Sequence, residues 1–519
     1  MPSQKIRNTL VILSEENKMY CAENKLHEEC GVFGIRSISG TDVVNSVYHG
    51  LYALQHRGQE SCGIAINDDG LITGHKGLGL VSEVFSKDSV EKLPRGNMAI
   101  GHCRYSTSDD LSVTDAQPLV IRHIKGTMAI AHNGNLTNAA KLKEELELTG
   151  AIFHTTSDAE IIAYTIIRER LVSSSIEEAI SRAMSRIHGA YSLVIMSPKK
   201  LIAVRDPLGF RPLCIGKTGE DHIIASESCA LESVGASFFR DVKPGEIVVI
   251  DEDGIRSIEE NCKPGTKSAC VFEFIYFARP DSVIDGSSVH IARQRAGAFL
   301  SLEHPVQADV VIGVPDSGID AALGYSRQSG IPYDVGFIKN KYIGRTFIEP
   351  FQPRRENTLR IKLNTISSTV RGKRVILIDD SIVRGTTSKR IVRLLREAGA
   401  TEVHMRVSSP PFLYPCYFGT DIKSRESLIA ANYSIEEIAE LIGVDSLGFL
   451  GVDNVTKLAD NPSLEFCTSC FTGRYPIPVP AAMPKEKYKR KIGDNEGGSN
   501  EDAELQNVAK KQAMAESVK

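Results

Sequence analysis

Two adjacent carboxylates, Asp379 and Asp380, stand between a short apolar run and a loop of small polar residues. The apolar run at 375–378 reads V-I-L-I, which predicts a strand buried on both faces of a parallel sheet. The loop reads S-I-V-R-G-T-T and leads into a segment with helical spacing that ends at Gly399. Carboxylates bind ribose hydroxyls or Mg²⁺, whereas the N–H groups of a helix N-terminus bind phosphate. This order of elements therefore predicts a ligand that is both sugar and phosphate.

The first half of the chain carries a series of small polar clusters that alternate with short apolar runs. They are H-E-E-C-G at 27–31, Q-H-R-G-Q-E at 55–60, G-H-C-R-Y-S-T at 101–107, A-H-N-G-N-L at 131–136 and T-T-S-D-A-E at 155–160. Short strands with polar tips predict sheets whose loops gather at one end. Helical spacing at 136–148, 158–171 and 176–187 intervenes, so this half is predicted to be mixed α and β.

Taken together, these motifs resemble the N-terminal-nucleophile glutamine amidotransferases, whose catalytic cysteine is the first residue of the mature chain. The resemblance implies that Cys30 is the nucleophile and that residues 1–29 are a propeptide removed by self-cleavage. The chemistry agrees, because a thiol with a pKa of about 8.5 needs a base and a free α-amino group titrates at about 8. An N-terminal Cys30 can therefore use its own amine to activate its own thiol.

The same resemblance assigns roles to residues in the other motifs. Arg104 would hold the α-carboxylate of glutamine with its bidentate guanidinium, and Asp158 would hold the α-ammonium. Asn133 and Gly134 would form the oxyanion hole, and Arg57 is expected to support glutamine binding. Two departures from the family pattern concern local loop shape: Cys103 where Thr is usual, and Ser108-Asp109 where Thr-Gly is usual.

The string at 374–387 matches the diphosphate-sugar motif of the type I phosphoribosyltransferases. Predicted strands at 309–314 and 375–378, with helices at 293–302 and 389–398, fit a βαβ parallel sheet whose ligands bind at the carboxyl ends of the strands. The resemblance implies one Mg²⁺ per subunit near Ser317 and the two carboxylates. The residues that would cradle the phosphoribosyl group are Asp379, Asp380, Ser381, Arg384, Gly385, Thr386 and Thr387.

A basic, glycine-containing stretch at 339–348, K-N-K-Y-I-G-R-T-F-I, resembles the flexible catalytic flap of these transferases. Lys341 and Arg345 would meet the charge of the pyrophosphate. The alternative is an exposed basic loop without a catalytic role.

Four of the eleven cysteines form a further candidate set: Cys270, Cys416 and the C-T-S-C pair Cys467 and Cys470. The thiols alone leave zinc, a redox pair, an iron–sulfur cluster or unligated cysteines open. Resemblance to the iron–sulfur amidotransferases implies one [4Fe–4S] cluster per subunit, with a structural role at the junction of two domains.

The length and composition of the chain limit the class of protein, its partners and its compartment. A chain of 519 residues with 42% hydrophobic and 24% charged residues is typical of a globular protein with two or more domains. A net charge of −4 gives no reason to expect nucleic acid as a partner, and no apolar run approaches the ~20 residues that span a membrane. A poor signal peptide and an odd number of scattered cysteines favour the cytoplasm. The tail at 485–519 is polar and is predicted to be disordered.

Both halves together resemble the glutamine phosphoribosylpyrophosphate amidotransferases over about residues 30–476. The implied fold is an N-terminal-nucleophile αββα sandwich over 30–262, followed by a type I phosphoribosyltransferase domain with a parallel sheet over 263–476. The implied reaction hydrolyses glutamine at Cys30 and channels ammonia to phosphoribosylpyrophosphate (PRPP), as the first committed step of purine synthesis. The family also implies a homo-oligomer, dimer or tetramer, that is inhibited by purine nucleotides.

Two other classes of function are compatible with parts of the chain. Aminosugar and asparagine synthases share the first half but lack the I-D-D-S-I-V-R-G-T-T loop. A non-catalytic phosphoribosyl-binding regulator would have no use for Cys30 with Arg104, Asn133 and Asp158. The presence of both motif sets in one chain favours the amidotransferase.

Processing can be tested directly. Edman sequencing of purified, active protein should begin at Cys30, because a peptide bond before Cys30 would remove the free amine that activates its thiol. An active enzyme whose N-terminus is still Met1 or Pro2 would contradict this prediction.

Overall fold

The computed structural model describes residues 30–105, 112–263, 267–340, 363–420, 422 and 424–480. The predicted propeptide, the Ser108-Asp109 departure, the flap residues Lys341 and Arg345 and the tail at 485–519 lie outside these residues. Within them, no helix has the length and apolar character needed to cross a membrane.

The first half folds into two antiparallel sheets, one of seven strands in the order β11-β9-β10-β1-β4-β2-β3 and one of six in the order β13-β12-β8-β7-β6-β5. The strands are β1 Gly31–Arg36, β2 Ser61–Asp68, β3 Leu71–Leu78, β4 Met98–Arg104, β5 Leu119–His123, β6 Gly126–Leu136, β7 Gly189–Met196, β8 Leu201–Arg205, β9 Cys214–Thr218, β10 Asp221–Ala225, β11 Ser237–Asp241, β12 Ile247–Asp251 and β13 Gly254–Ile258.

The two sheets face each other across a core of small and β-branched residues. Successive side chains along β1 point to opposite faces of the sheet. Val32 belongs to the core between the sheets, whereas Phe33 and Ile35 belong to the core on the outer face. Gly34 permits the close approach, since a Cβ there would lie 2.6 Å from Cγ1 of Val194 on the opposite sheet. The pleat of the strands thus fixes a buried seam between two sheets.

Helices cover the outer face of each sheet and complete four layers, α, β, β and α. Val44–Ala53 and Ser228–Ser233 pack on the seven-stranded sheet, while Asp158–Val172 and Ile176–Met184 pack on the other. The remaining helices of this half are Val81–Val84, Lys87–Glu91, the 3₁₀ turn Val113–Asp115 and Ala139–Glu147.

The second half contains a four-stranded parallel sheet in the order β17-β20-β21-β22. Helices Val289–Glu303 and Ile319–Ser329 contribute to the core on one face, and Thr386–Glu397 and Ile435–Ile442 to the core on the other. The strands are β14 Ala269–Cys270, β15 Val283–Ile284, β16 Ser287–Ser288, β17 Val310–Gly313, β18 Phe337–Lys339, β19 Leu363–Thr365, β20 Arg374–Asp379, β21 Glu402–Val407, β22 Ser446–Phe449 and β23 Phe466–Cys467. The other helical segments are Glu273–Phe277 (a π-helix), Ser367–Val370, Ile429–Asn432, Val452–Val455 and Ser469–Thr472.

This architecture confirms the predicted fold class, an αββα sandwich followed by a parallel sheet with helices on both faces. Several predicted element bounds were wrong, because long-range pairing and caps set them. The helix predicted at 136–148 begins only at Ala139, since β6 continues to Leu136, which pairs with Gly189. The helix predicted at 293–302 begins at Val289, where Ser288 caps it.

The junction between the halves is built by segments far apart in the chain. Strand β14 pairs with β23 in parallel, which places Cys270 beside Cys467. Arg205 of the sandwich makes a bidentate ion pair with Asp285 of the second half, at 2.7 and 2.8 Å. The C-terminal segment therefore packs where the two halves meet.

Candidate active sites

Cys30 lies immediately before β1, and its neighbours come from β4. Gly31 pairs with Cys103, so the end of β4 brings Arg104 alongside. The Sγ of Cys30 lies 3.4 Å from the carbonyl oxygen of Tyr105, and the carbonyl oxygen of Cys30 accepts a hydrogen bond from Nε of Arg57 at 3.1 Å. Cys30 is therefore held by the motif at 55–60 through its backbone and by the motif at 101–107 through its thiol.

A hydrogen bond between the two sheets joins this region to the A-H-N-G motif. Nε2 of His102 lies 3.0 Å from the carbonyl oxygen of His132. Burial lowers the pKa of His102 to about 3 and that of His132 to about 4. Both imidazoles are therefore neutral at pH 7, and their role is to hold the strands together.

Asn133 and Gly134 lie on β6, opposite Ser192 and Tyr191 of β7. The side chain of Asn133 is 1% exposed, and its Nδ2 has no hydrogen-bond partner among the described residues. A buried donor without a partner costs about 1–3 kcal/mol, which a developing oxyanion would recover. Gly134 has φ +141°, and a Cβ there would lie 2.0 Å from the carbonyl oxygen of Ala190, so this position requires glycine.

Asp158 is the first residue of the helix Asp158–Val172, which Ser157 caps. Its Oδ2 accepts a hydrogen bond from the backbone N–H of Leu136 at 2.7 Å, which ties the helix to the end of β6. Burial raises the pKa of Asp158 to about 6, against the smaller opposite effect of that hydrogen bond. The carboxylate is still mostly ionised at pH 7 and can pair with an ammonium group.

Arg57 is buried completely and is held by carboxylates. It donates to Glu227 at 2.6 Å and to both carboxylate oxygens of Glu273 at 2.8 and 2.9 Å. Burial opposes its charge, but the two carboxylates outweigh this and hold its pKa well above the usual value. These contacts make Arg57 a support for the backbone of Cys30, and a direct contact with glutamine stays a prediction.

The acidic pair of the second site lies at the carboxyl end of β20, with Asp379 as the last residue of the strand. Ser317, from the loop after β17, donates to Oδ1 of Asp380 at 2.5 Å, and Ser381 donates to Oδ2 at 2.5 Å. The two loops approach closely because position 318 is glycine, where a Cβ would lie 2.4 Å from the carbonyl oxygen of Ile378. The structure thus brings Ser317 to the acidic pair, as the sequence predicts.

The loop after the acidic pair enters its helix through Gly385, which has φ +79°. A Cβ at Gly385 would also lie 2.7 Å from Cδ1 of Ile429, so glycine is required there. Thr386 and Thr387 lie in the first turn of the helix Thr386–Glu397, where the sequence placed a loop. That first turn carries no acidic residue, so no carboxylate within it opposes the positive end of the helix dipole.

The base of the predicted flap is an antiparallel pair, β18 with β19, in which Phe337 lies opposite Thr365. Lys339 on β18 makes an exposed ion pair with Asp316 at 2.7 Å. This places the start of the flap beside the loop that carries Ser317. The contribution of Lys341 and Arg345 stays a prediction.

The four candidate cysteines meet at the junction. Cys270 lies opposite Cys467 in the β14–β23 pair, and the carbonyl oxygen of Cys470 accepts hydrogen bonds from Leu413 and Tyr414, just before Cys416. Burial, together with the charges that the other three thiols would carry, raises the pKa of Cys470 well above its usual value. A thiol in that environment is expensive to ionise unless a cationic group compensates the charge.

Two functional residues escaped the sequence reasoning, Glu227 and Glu273. Glu273 lies in the F-E-F string at 272–274, to which the sequence analysis assigned no role. Both carboxylates reach Arg57 from 170 or more positions away in the chain. Sequence spacing contains no signal for contacts of that kind.

The fold and the placement of these residues define a class of protein, a glutamine amidotransferase joined to a phosphoribosyltransferase. Comparison with known families agrees: a glutamine amidotransferase domain matches residues 102–233, and a phosphoribosyl transferase domain matches residues 290–409.

Known proteins narrow this class further. Amidophosphoribosyltransferase from Bacillus subtilis (strain 168) is 48% identical over 459 residues, which cover 88% of this chain and 95% of the relative. The enzyme of the same name from Methanocaldococcus jannaschii is 47% identical, covering 87% of this chain and 98% of the relative. The chain belongs to the amidophosphoribosyltransferase family.

Solved structures show the same fold along most of the chain. Glutamine PRPP amidotransferase from B. subtilis, complexed with ADP and GMP, superposes with a TM-score of 0.80 at 47% identity, covering 87% of this chain and 98% of that one. A second structure, described as the allosteric regulatory enzyme of purine biosynthesis, gives a TM-score of 0.81 at 47% identity, with 87% and 97% coverage.

The pKa of Asp158 makes a prediction for the pH dependence of glutamine use. Because kcat/KM reports the free enzyme, it should fall about tenfold per pH unit below a pH of about 8, where the Cys30 amine becomes protonated. The slope should steepen below a pH of about 6, where Asp158 is protonated and no longer pairs with the α-ammonium. Steady-state kinetics from pH 5 to 9 measure both bends.

The variant Asp158→Asn tests this assignment, because the amide side chain has nearly the same shape as the carboxylate but has no charge to lose. It should raise KM for glutamine about 10- to 100-fold, the range expected for a charge-assisted hydrogen bond, and should lack the second bend. A variant with unchanged KM and the same two bends would show that Asp158 does not bind the ammonium group.

Proposed function

We propose that this chain transfers the amide nitrogen of glutamine to PRPP, giving 5-phosphoribosylamine, pyrophosphate and glutamate. The observation that carries the proposal is the presence of two sets of candidate site residues in one folded chain. One is Cys30 with Asn133, whose Nδ2 has no hydrogen-bond partner among the described residues, and the other is the acidic pair at the carboxyl end of β20. The names of the relatives support the same reaction.

In the first half-reaction, the α-amine of Cys30 takes the proton of its thiol, and the thiolate attacks the amide carbon of glutamine. Nδ2 of Asn133 and the backbone N–H of Gly134 donate to the oxyanion that forms. Ammonia leaves with the amine's proton, and water hydrolyses the thioester to glutamate. Arg104 and Asp158 hold the substrate at its carboxylate and ammonium. This route requires removal of residues 1–29.

In the second half-reaction, ammonia displaces pyrophosphate from C1 of the ribose, so that a C–N bond forms as the C–O bond breaks and pyrophosphate leaves with the electron pair. Asp379 and Asp380 bind the ribose hydroxyls, and the loop and helix start at 381–387 bind the 5-phosphate. Mg²⁺, held near Ser317 and the two carboxylates, would neutralise the diphosphate. The protein's own contribution is to position the ribose and exclude water.

We also propose that the chain is of the iron–sulfur type, with one [4Fe–4S] cluster on Cys270, Cys416, Cys467 and Cys470. The placement of their segments at one junction, and the burial of the Cys470 thiol, support a shared cationic group. The thiols by themselves suit zinc as well as a cluster. The preference for a cluster rests on the resemblance to the iron–sulfur amidotransferases.

Regulation and assembly follow by analogy with the relatives. The B. subtilis structure is a complex with ADP and GMP, and the second neighbour is described as allosteric. We propose that purine nucleotides inhibit this chain as well, and that it works as a homodimer or homotetramer. The proposed cluster suits the reducing cytoplasm.

The two-site reaction is tested by separating the nitrogen sources. Cys30→Ala should abolish formation of phosphoribosylamine from glutamine, while ammonia-dependent formation stays within about twofold, because the thiol acts only on glutamine. Asp379→Asn should reduce both activities about 100-fold, since both use the same ribose site. Pyrophosphate release with either nitrogen source, and transfer of ¹⁵N from the glutamine amide, are the measurements.

Asp309→Asn is the control for the Asp379 variant, because Asp309 is an exposed carboxylate at the opposite, amino end of the sheet, beside Arg374. It should leave both activities within about twofold. Equal loss of both activities in Cys30→Ala, or no transfer of label from glutamine, would refute the two-site reaction.

The cluster is tested by composition and colour. Protein purified without oxygen should be brown, absorb in the blue part of the visible spectrum, and contain about four iron and four sulfide per chain. Cys470→Ser should lose this absorbance, whereas Cys262→Ser should keep it, because Cys262 is not one of the four. Colourless protein with stoichiometric zinc would contradict the proposal.

A further inference from the structure

A chain of buried polar contacts leaves the Cys30 site and enters the second half. It begins at the carbonyl oxygen of Cys30, which accepts a hydrogen bond from Nε of Arg57. The two terminal nitrogens of Arg57 then donate to the two carboxylate oxygens of Glu273, in the π-helix Glu273–Phe277 of the junction. A residue of one half thus fixes the guanidinium that holds the nucleophile of the other.

The chain of contacts continues beyond Glu273. Arg211 donates to Oε1 of Glu273 at 3.2 Å and to the carbonyl oxygen of Phe418 at 2.7 Å. The backbone N–H of Phe418 lies 3.4 Å from Sγ of Cys416, one of the four junction cysteines. The contacts therefore run without a break from the nucleophile to the loop that carries Cys416.

The two arginines and two glutamates of this network are buried and balanced in charge. Arg57 and Arg211 are 0% exposed, and Glu227 and Glu273 are 1% exposed. The two guanidinium groups face the two carboxylates. Nε2 of His56 also lies 2.7 Å from Oε1 of Glu227. Removing one member of such a set leaves its partners buried without their charges matched, so each member constrains the others strongly. Glu273 is the member that touches both arginines.

We propose that Glu273 is a positioning residue for the glutamine half-reaction, acting through Arg57 on the backbone of Cys30 and joining that backbone to the loop of Cys416. The proposal rests on the proposed function, because it assumes that Cys30 is the nucleophile. Glu273 does not touch the substrate in this role. It holds both Arg57 nitrogens in one orientation, so that Nε of Arg57 fixes the Cys30 carbonyl and hence the directions of its amine and thiol.

The kinetic signature follows from that role. A misaligned nucleophile slows attack on a glutamine that Arg104 and Asp158 still bind, so kcat should fall while KM changes little. Glu273→Gln should lower kcat for the glutamine-dependent reaction about 10- to 100-fold, with KM within about threefold. Ammonia-dependent activity should stay within about twofold, and the rate at which iodoacetamide alkylates Cys30 should fall with kcat.

Asp285→Asn is the matched control, because Asp285 forms a second, part-buried bidentate ion pair across the junction, with Arg205. Its φ of +47° is a conformation that Asn accepts, so the backbone should be retained. This variant should lower the melting temperature about as much as Glu273→Gln does, yet leave the glutamine kcat and Cys30 alkylation within about twofold.

The outcomes decide the proposal. Equal kcat and alkylation rates in the two variants, or a rise in KM at constant kcat, would overturn it. If Glu273→Gln does not fold, Glu273→Asp replaces it, because that variant keeps the charge and moves the carboxylate back by one methylene. Glu273→Asp should show the same fall in kcat with a smaller loss of stability. A wild-type kcat in Glu273→Asp would also overturn the proposal. If the proposed function itself is wrong, the result is different from all of these outcomes, because the wild-type protein would then use no glutamine.

Discussion

Buried charge at the junction is the constraint on which the Cys30 site depends. An isolated ion inside a protein is costly enough that it persists only when partners surround it. Here the partners lie on different halves of the chain: Arg57 and Arg211 come from the sandwich and Glu273 from the segment after it. Arg293 completes the junction from the other side by donating to the carbonyl oxygens of Phe274, Tyr276 and Ala278. The Cys30 site therefore acquires its full set of contacts only when both halves have folded together.

The same constraint serves the chemistry. Ammonia that moves between sites must be kept from bulk water, where it would be protonated and lost. The junction contains the buried ion pairs of Arg57 and Arg211 with Glu273, and the rings of Phe272, Phe277 and Phe412, which pack edge to face. Water is excluded from these contacts. Positioning and exclusion of water are thus two results of one packed interface, and neither half would provide them alone.

Both sites also share a local device, a glycine where two backbones must nearly touch. Gly134 lets β6 approach β7 beside the oxyanion donors, and Gly318 lets the loop of Ser317 approach the end of β20. In each case a Cβ would lie less than 2.5 Å from a carbonyl oxygen. The polar side chains of each site can converge because the glycine next to them removes the steric barrier.

The sequence predicted those parts of the sites that are local in the chain. The acidic pair, its loop and the helix after it form one continuous stretch, so their order alone led to the prediction of a sugar phosphate ligand. Asn133 and Asp158 stand in similarly compact motifs. The bounds of the helices were less predictable. The positive φ of Gly385 starts the helix Thr386–Glu397 three residues before the predicted position, and the pairing of β6 with β7 makes the helix Ala139–Glu147 begin after the predicted position. The ion pairs of Arg57 could not be predicted, since contacts across 170 to 216 positions leave no periodic trace.

The C-terminal segment shows why these unpredicted contacts matter. Its cysteines have an obvious spacing, but spacing alone does not say what they hold or where. The β14–β23 pair and the bond from Arg211 to Phe418 place them against the network that ends at Cys30. A group bound by those thiols would fix the Cys416 loop, and through Arg211 it would fix Glu273. A cluster that takes no part in either half-reaction can in this way still be required for the geometry of the first, because rigidity at one end of a packed, charged interface is transmitted to the other.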